Sequence, residues 1–271
     1  MSSMQERLDA AKLALQQAEA PYQGVGTLQE KQLHAILKYY YEPDPAYHEV
    51  PCYGFIADIR TPEGITEIQT RSFSKLRRKL AVFLKSEPVT LVYPLPYHKW
   101  VRWVDPETGE ITAARKSPKT GQPADACFEL NMIQDLLGHE QLHIRLLLLD
   151  IEEYRILNGW SRDRKKGATR AERLPLTVIE EIYLDRPSDY LQLLPEGLPS
   201  PFTSTELSQF AHLSTKRTQW LLRCLRSVRQ VQVSGKIGRK YLYQISNGKE
   251  SDLLQTHICL QNQQEGQPKK G

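Results

Sequence analysis

Two short apolar segments around a turn, at residues 54–70, limit the fold more narrowly than any other stretch of the chain. The stretch reads GFIADIRTPEGITEIQT, and the Pro-Glu-Gly at residues 62–64 is typical of a turn between two strands. Side chains two apart on a strand share a face, so Glu67 and Gln69 point the same way, and the turn brings them near Asp58. Carboxylate and amide oxygens suit a hard divalent cation. We therefore expect a site for Mg²⁺ or Mn²⁺ on this hairpin.

The composition is that of an ordinary globular protein. The chain has 271 residues, of which 40% are hydrophobic and 25% charged, and this length has room for one large or two modest domains. Its formal net charge is +4. A mildly basic chain permits a nucleic-acid partner without requiring one, so the positions of the charged residues are the better guide to such a partner.

Cysteine spacing and hydropathy indicate the compartment. The four cysteines are scattered and form no Cys-x-x-Cys pair, which argues against a zinc ribbon or a disulfide framework and favours a reducing cytoplasm. No apolar run approaches the roughly 18 residues of a membrane span. Residues 1–20 also lack the apolar centre of a signal peptide. We expect a cytoplasmic protein without membrane contact.

Glu30 has two interpretations, both of which stay open. It follows Thr27 with the spacing of a capping box, at the start of an amphipathic helix predicted for residues 27–41. It also lies three residues before Leu33, on the apolar stripe of that helix. A carboxylate that points inward is costly unless it is paired or binds a metal. The second interpretation adds Glu30 to the candidate catalytic residues.

The order of elements predicts an α/β domain. A basic amphipathic helix at residues 74–86 is followed by VTLVYPL at residues 89–95, an apolar run expected of a strand buried on both faces. Helix, two strands, helix and strand in this order predict a mixed sheet flanked by helices. Further elements are predicted along the chain: a hairpin of residues 99–104 and 110–112, a helix at 124–137, a strand pair or a helix at 142–157, and a connecting helical stretch at 174–194.

A basic run, RDRKKGATRAER, occupies residues 162–173. Charge runs are usually solvated surface, but beside a catalytic core such a run could hold phosphate groups, and the sequence favours neither interpretation. On the second interpretation its candidate DNA-binding residues are Arg162, Arg164, Lys165, Lys166 and Arg170.

Residues 202–245 form a second organised segment. A short helix, a tight turn, a longer helix and a basic hairpin resemble a winged helix-turn-helix, in which the second helix enters the major groove and the wing contacts the DNA backbone. Such a module can also serve protein contacts; exposed cations on the helix and the hairpin favour DNA. These candidate DNA-binding residues are Lys216, Arg217, Arg223, Lys236, Arg239 and Lys240.

Three prolines and a glycine in residues 195–201 mark a domain boundary. The predicted division is an N-terminal helical extension (1–21), an α/β domain (22–160), a basic loop with a connecting helical segment (161–200), the winged-helix segment (201–246) and a disordered polar tail (247–271).

Asp58 followed by Glu67-Ile68-Gln69, between a helix with Glu30 and a basic helix, resembles the PD-(D/E)xK nuclease superfamily. The resemblance covers about residues 26–95 and implies a restriction-endonuclease-like fold. It implies that Asp58 and Glu67 are metal ligands, with the Ile68 carbonyl as a third, and that Glu30 matches an acidic residue of the first helix. The whole chain is also similar to an uncharacterised bacterial family through EIQTRSFSKLRRKL and LNGWSRDRKKG.

Gln69 departs from the superfamily pattern, because it stands where lysine is usual. Glutamine can orient a water molecule but carries no charge, so the missing charge would have to come from Arg71, Lys75 or Lys31. The implied activity is a metal-dependent DNA endonuclease, for which a homodimer is one way to cut both strands. The alternatives are a non-catalytic DNA-binding regulator on an inactive nuclease-like domain and an interaction scaffold.

The sequence His139-Glu140-Gln141-Leu142-His143 matches the H-E-x-x-H pattern of zinc metalloproteases. That chemistry needs both histidines on one face of a helix. Gly138 directly before the pattern disfavours a continuous helix, and no extended motif follows. Coincidence in a loop before a strand is the favoured interpretation.

Overall fold

A seven-stranded mixed sheet forms the centre of the first of two compact units, Met1–Asp185 and Arg186–Gly271. The computed structural model describes residues 3–18, 31–159 and 167–246. The strands of the large sheet are β1 (His48–Cys52), β2 (Phe55–Thr61), β3 (Gly64–Ile68), β4 (Val89–Val104), β5 (Arg115–Lys116), β6 (Leu142–Ile156) and β7 (Thr169–Leu184). The α-helices of this unit are α1 (Met4–Ala18), α2 (Lys31–Tyr41), α3 (Phe73–Phe83) and α4 (Cys127–Leu130), with 3-10 helices at Pro45–Tyr47, Pro123–Ala126 and Asn131–Ile133.

The sheet has the strand order β1-β2-β3-β4-β6-β7, and β5 pairs with β4. The pairs β1–β2, β2–β3 and β6–β7 are antiparallel, whereas β3–β4 and β4–β6 are parallel. A parallel pair needs a crossover connection, and α3 provides it between β3 and β4. The predicted mixed sheet is confirmed.

Helices cover both faces of this sheet. Val92 of β4 belongs to an apolar cluster with Leu33 and Leu37 of α2. Tyr93 follows it and therefore points to the opposite face, where its ring lies 4.9 Å from that of Phe73 at the start of α3. The apolar stripe predicted for α2 is buried as expected.

Helix α1 is an integral part of the first unit, unlike the extension that the sequence predicted. Leu8 and Ala11 are buried in the cluster shared with α2 and the sheet. The side chain of Gln5 accepts a hydrogen bond from the backbone N–H of Val178 and donates one to the carbonyl of Leu176. Because β7 is an edge strand with backbone groups open to pairing, these contacts protect the edge.

Strand β7 corrects the helical stretch predicted at residues 174–194. Three of its buried residues, Pro175, Val178 and Ile182, are spaced three and four apart, as on a helix. The cause is a set of register shifts between β6 and β7, each of which adds a residue and interrupts the alternation of period two. After the strand, residues Pro187–Leu193 form a 3-10 helix. The segment predicted at 161–200 is thus divided between the two units.

The structure differs from three other predictions. The segment predicted at 142–157 is one long strand, β6 (Leu142–Ile156), whose apolar run is buried because neighbours pair on both sides. The helix predicted at 124–137 is a series of short turns, with α4 as its only α-helical part in the described chain. The hairpin predicted at 99–104 and 110–112 is reduced to one bridge, between Val104 and Ile111, and β5 pairs with Trp100 and Val101 of β4 instead.

The second unit contains β8 (Phe202–Thr203), α5 (Ser204–Phe210), α6 (Thr215–Ser227), β9 (Val231–Ile237) and β10 (Lys240–Ile245). The three strands form an antiparallel sheet in the order β8-β10-β9. The buried face of α6 includes Leu221, Cys224 and Leu225, as the sequence predicted. The tail predicted at 247–271 lies outside the described residues. Among the described residues, no helix has the length and apolar character needed to cross a membrane.

Thr203→Ala is expected to lower the free energy of unfolding by ~1 kcal/mol. The Thr203 hydroxyl accepts a hydrogen bond from the backbone N–H of Glu206, whose carboxylate accepts one from the backbone N–H of Thr203. This capping box satisfies otherwise unpaired groups at the start of α5. Urea titration gives the free energy, and the exposed Thr215 provides the matched control, Thr215→Ala. Equal effects of the two substitutions would contradict a capping role.

Candidate active site on the β2–β3 hairpin

The hairpin places two carboxylates side by side on paired strands. The last paired residues of these strands are Ile59 and Thr66, and just beyond them the backbone N–H of Asp58 donates a hydrogen bond to the carboxylate of Glu67. The turn needs Gly64, whose φ is +139° and where an added Cβ would lie 2.5 Å from the carbonyl oxygen of Pro88. This close approach fixes the hairpin against the start of β4.

Asp58 is held by one helix and by the neighbouring strand. Its Oδ2 lies 3.1 Å from Nε2 of His34 on α2 and accepts a hydrogen bond of 2.8 Å from the backbone N–H of Ile68. Burial would raise the pKa of Asp58, but His34, the Ile68 amide and Lys79 together outweigh burial and hold the pKa below its usual value. Asp58 is therefore a carboxylate at neutral pH.

Glu67 is the more deeply buried of the pair, with 2% of its surface exposed. Its Oε1 accepts a hydrogen bond from the backbone N–H of Asp58, and its Oε2 accepts one of 2.5 Å from Nζ of Lys79 on α3. Burial and the charge of Asp58 raise the pKa of Glu67 to about 7, although Lys79 opposes the rise. The pair therefore loses its second proton near neutral pH.

Gln69 lies just beyond β3, and its side-chain amide donates a hydrogen bond to the carbonyl of Arg71. The cation next to Glu67 is Lys79, whereas Arg71 and Lys75 are exposed. Lys79 was not among the residues predicted for the site. Its position three residues after Leu76 and four before Phe83, both buried, marks it as the inward-facing lysine of α3. His34 was missed too, because its role depends on how α2 docks onto the sheet.

The other predicted site residues lie elsewhere. Glu30, Arg162, Arg164, Lys165 and Lys166 fall outside the described residues. Arg170 belongs to β7, not to a loop, and its Nε lies 3.3 Å from Glu153. In the second unit five predicted cations are exposed and Arg217 is half-buried; the exposed ones are Lys216, Arg223, Lys236, Arg239 and Lys240.

Metal chemistry at the hairpin depends on two carboxylates. Among the described residues, no group of three or more His, Cys, Asp or Glu side chains is arranged to hold a metal ion. The H-E-x-x-H pattern does not form a helical site: His143 belongs to β6, and its Nδ1 lies 3.0 Å from Oδ1 of Asp185, while His139 lies in the preceding turn. Asp58 and Glu67 remain the candidate ligands.

Comparisons with known proteins place the chain in a family. A model described as a domain of unknown function (DUF8091) matches residues 31–185, from α2 to the end of the first unit. An uncharacterised protein of Treponema pallidum (strain Nichols) is 30% identical over 220 residues, which cover 81% of this chain and 86% of the relative. No solved structure matches. The chain therefore belongs to the family of the domain of unknown function DUF8091.

Proposed function

We propose that the protein is a metal-dependent DNA endonuclease that hydrolyses phosphodiester bonds at the β2–β3 hairpin. The observation that carries the proposal is the pair of Asp58 and Glu67 on adjacent strands, of which Glu67 is buried and Asp58 half-buried, with Nζ of Lys79 2.5 Å from Glu67. The arrangement collects two potential metal ligands and one cation in one place. Lys79, from a different element, supplies the positive charge that Gln69 lacks.

The order of elements supports this proposal. Helix α2 precedes the β2–β3 hairpin, and α3 then leads to β4, which pairs parallel with β3. This is the order that the resemblance to the PD-(D/E)xK superfamily implies. Because the two carboxylates and the lysine come from consecutive elements of this order, the position of the site and the proposed fold agree.

The hairpin residues fit a hard divalent cation. Mg²⁺ is commonly held by one or two carboxylates together with the phosphate groups of a substrate. Asp58 is ionised, and a cation would stabilise the ionised form of Glu67, which burial and Asp58 disfavour in its absence. Glu30, outside the described residues, remains a proposed additional acidic group.

The roles of the chain's own residues follow from their contacts. Asp58 and Glu67 would hold Mg²⁺ or Mn²⁺, which when bound lowers the pKa of a water molecule and stabilises charge on the phosphate. His34 and the Ile68 amide fix the orientation of the Asp58 carboxylate. Lys79 donates a hydrogen bond to Glu67 and balances its charge. Gln69 remains the residue proposed to orient the attacking water.

The second unit would deliver the protein to duplex DNA as a winged helix. Helix, turn, helix and a two-stranded hairpin succeed one another in it. In such a module α6 enters the major groove and the β9–β10 hairpin contacts the backbone. Exposed Lys216 and Arg223 on α6, and exposed Arg239 at the tip of the hairpin, support this role.

A non-catalytic DNA-binding regulator is the second candidate. The observation in its favour is that both carboxylates already have side-chain partners within the chain, His34 for Asp58 and Lys79 for Glu67. This function predicts salt-sensitive DNA binding without cleavage. Binding would survive Glu67→Ala and would weaken in Arg217→Ala and Arg239→Ala.

Asp58→Asn is expected to lower Mg²⁺- or Mn²⁺-dependent cleavage at least ~10-fold, because a neutral amide is a poor ligand for a hard cation. Supercoiled, linear duplex and single-stranded DNA are incubated with each metal, with EDTA as the blank. Glu63→Gln, an exposed carboxylate in the turn of the same hairpin, is the matched control. If Asp58→Asn cleaves DNA at the wild-type rate, the catalytic site is not at this hairpin. If the wild type cleaves none of the DNA forms, the regulator is favoured.

A further inference from the structure

Helix α3 carries several basic side chains and no acidic one. Its eleven residues, FSKLRRKLAVF, include neither Asp nor Glu. The basic residues of the helix are Lys75, Arg77, Arg78 and Lys79. The helix follows β3 directly, and Lys79 donates a hydrogen bond to Glu67 of the candidate active site. The opposite, outer side of α3 is therefore close to any substrate of that site.

Lys75 and Arg78 lie on the exposed side of α3. We call these two residues the outer pair. Side chains three and four positions apart on a helix are neighbours, so Lys75 lies beside Arg78 and beside Lys79. Nζ of Lys79 in turn lies 2.5 Å from the carboxylate of Glu67. The basic side chains of α3 thus extend from the surface of the unit to one of the two candidate metal ligands.

The apolar face of α3 is buried in the core. Phe73, Leu76, Leu80 and Phe83 are all buried, and the ring of Phe73 lies 4.9 Å from that of Tyr93 on β4. A basic amphipathic helix that binds a membrane surface places its apolar face among the lipids. Because this face of α3 packs on the sheet, the helix offers a partner only its polar and basic side. A negatively charged, polar partner such as a phosphate backbone fits that side.

The outer pair combines two chemistries that bind phosphate groups. The guanidinium of Arg78 can donate two parallel hydrogen bonds to one phosphate, and the ammonium of Lys75 acts as a compact positive charge. Residues three apart lie about 4.5 Å apart along a helix axis, so the two long side chains can reach neighbouring phosphate groups of one strand. Contacts on both sides of a reacting bond hold it in position for attack, which contributes to catalysis.

We propose that Lys75 and Arg78 bind the DNA backbone beside the phosphodiester bond that the candidate active site hydrolyses. The choice of DNA rests on the proposed function. Two acidic side chains of neighbouring elements approach α3, and both have contacts of their own. Glu129 accepts a hydrogen bond from the backbone N–H of Phe73, and Asp135 pairs with Arg77 at 2.9 Å.

The test measures DNA binding separately from cleavage. Fluorescence anisotropy of a labelled duplex in EDTA gives the Kd over a series of salt concentrations. The double variant Lys75→Gln/Arg78→Gln is expected to raise the Kd ~10-fold or more at physiological salt. The slope of log Kd against log salt is expected to fall by about two, one for each lost phosphate contact.

The matched control removes two positive charges far from the site. Arg115 and Lys116 of β5 are exposed, and Lys116 pairs with Trp100 of β4. Trp100 lies roughly 30 Å along β4 from Leu91, the strand partner of Glu67. Arg115→Gln/Lys116→Gln is expected to change the Kd less than about twofold, because charges at this distance are screened at physiological salt.

Two results would overturn the proposal. One is an unchanged Kd in Lys75→Gln/Arg78→Gln. The other is an equal rise of the Kd in both double variants, which would mean that net charge alone governs the affinity. Thermal unfolding shows whether the variants are folded. If the double variant of α3 is not folded, Arg78→Gln replaces it, with an expected fall of the salt slope by about one.

Cleavage by the wild type with Mg²⁺ separates this inference from the proposed function on which it rests. An affinity loss confined to the α3 variant, together with a wild type that cleaves no DNA, would keep DNA binding by the outer pair and remove the nuclease. Cleavage that Asp58→Asn abolishes, together with equal DNA affinity of the wild type and the α3 variant, would keep the nuclease and remove the inference.

Discussion

Glu67→Gln is expected to reduce metal-dependent DNA cleavage ~100-fold or more, and to stabilise the metal-free protein at pH 8 by on the order of 1–3 kcal/mol. The loss of cleavage follows because glutamine removes one of the two carboxylates proposed to hold the cation. The gain in stability follows because the ionised form of Glu67 is buried beside Asp58, which raises its pKa to about 7. A neutral amide of the same shape avoids that penalty.

The sign of the pH dependence provides the sharper test. A raised pKa means that the folded protein binds more protons at Glu67 than the unfolded chain between pH 4.5 and about 7. Stability should therefore fall as pH rises through this window in the wild type, and Glu67→Gln should lack this fall. Urea titrations at pH 5 and pH 8, each with and without Mg²⁺, measure both effects, and Mg²⁺ should stabilise only the wild type at pH 8.

Glu63→Gln is the control for this prediction, since Glu63 is exposed in the turn of the same hairpin. It should keep both cleavage and the pH dependence of the wild type. A Glu67→Gln protein that cleaves DNA as the wild type does, or whose stability falls equally between pH 5 and pH 8, would contradict the roles given to Glu67. A buried charge kept for function can lower stability, so we expect Glu67→Gln to be more stable than the wild type and to cleave DNA poorly.

The hairpin could be predicted from sequence because its information is local. Alternating side chains and a turn are enough to place Asp58 and Glu67 on neighbouring strands. Their partners could not be placed in the same way. Lys79 and His34 reach the carboxylates from helices α3 and α2, and the docking of a helix onto a sheet is decided by packing over the whole unit.

The fold shows the same division between local and non-local information. The buried stripe of α2 and the parallel crossover through α3 follow from periodicity and element order. Strand β7 does not follow from periodicity, because its register shifts give the buried Pro175, Val178 and Ile182 the spacing of a helix. The weak apolar pattern of α1 does not show whether this helix is an extension or part of the core. Its burial of Leu8 depends on α2 and on the edge strand that it covers.

Glu153→Gln is expected to lower the free energy of unfolding at pH 7 by ~3 kcal/mol. Four cations, Arg173, Lys99, Arg170 and Arg155, lower the pKa of Glu153 from 4.5 to about 2, against the opposing effect of burial. A downward shift of this size in a fully buried group corresponds to ~3 kcal/mol of favourable interaction with its charged form. Glutamine keeps the shape but removes the charge, so each of the four cations loses its ion pair with Glu153.

The pH dependence of this loss has the opposite sign to that at Glu67. Because the folded pKa is depressed, the contribution of Glu153 is fully present above pH 4.5 and disappears as pH falls toward about 2. The difference between wild type and Glu153→Gln, from urea titrations at pH 7 and pH 2.5, should therefore shrink at the lower pH. Glu152→Gln on the same strand is the control, with an expected loss of about 1 kcal/mol or less because Glu152 pairs with the single Arg102. Equal losses in the two variants would mean that the four cations stabilise Glu153 no more than Arg102 stabilises Glu152.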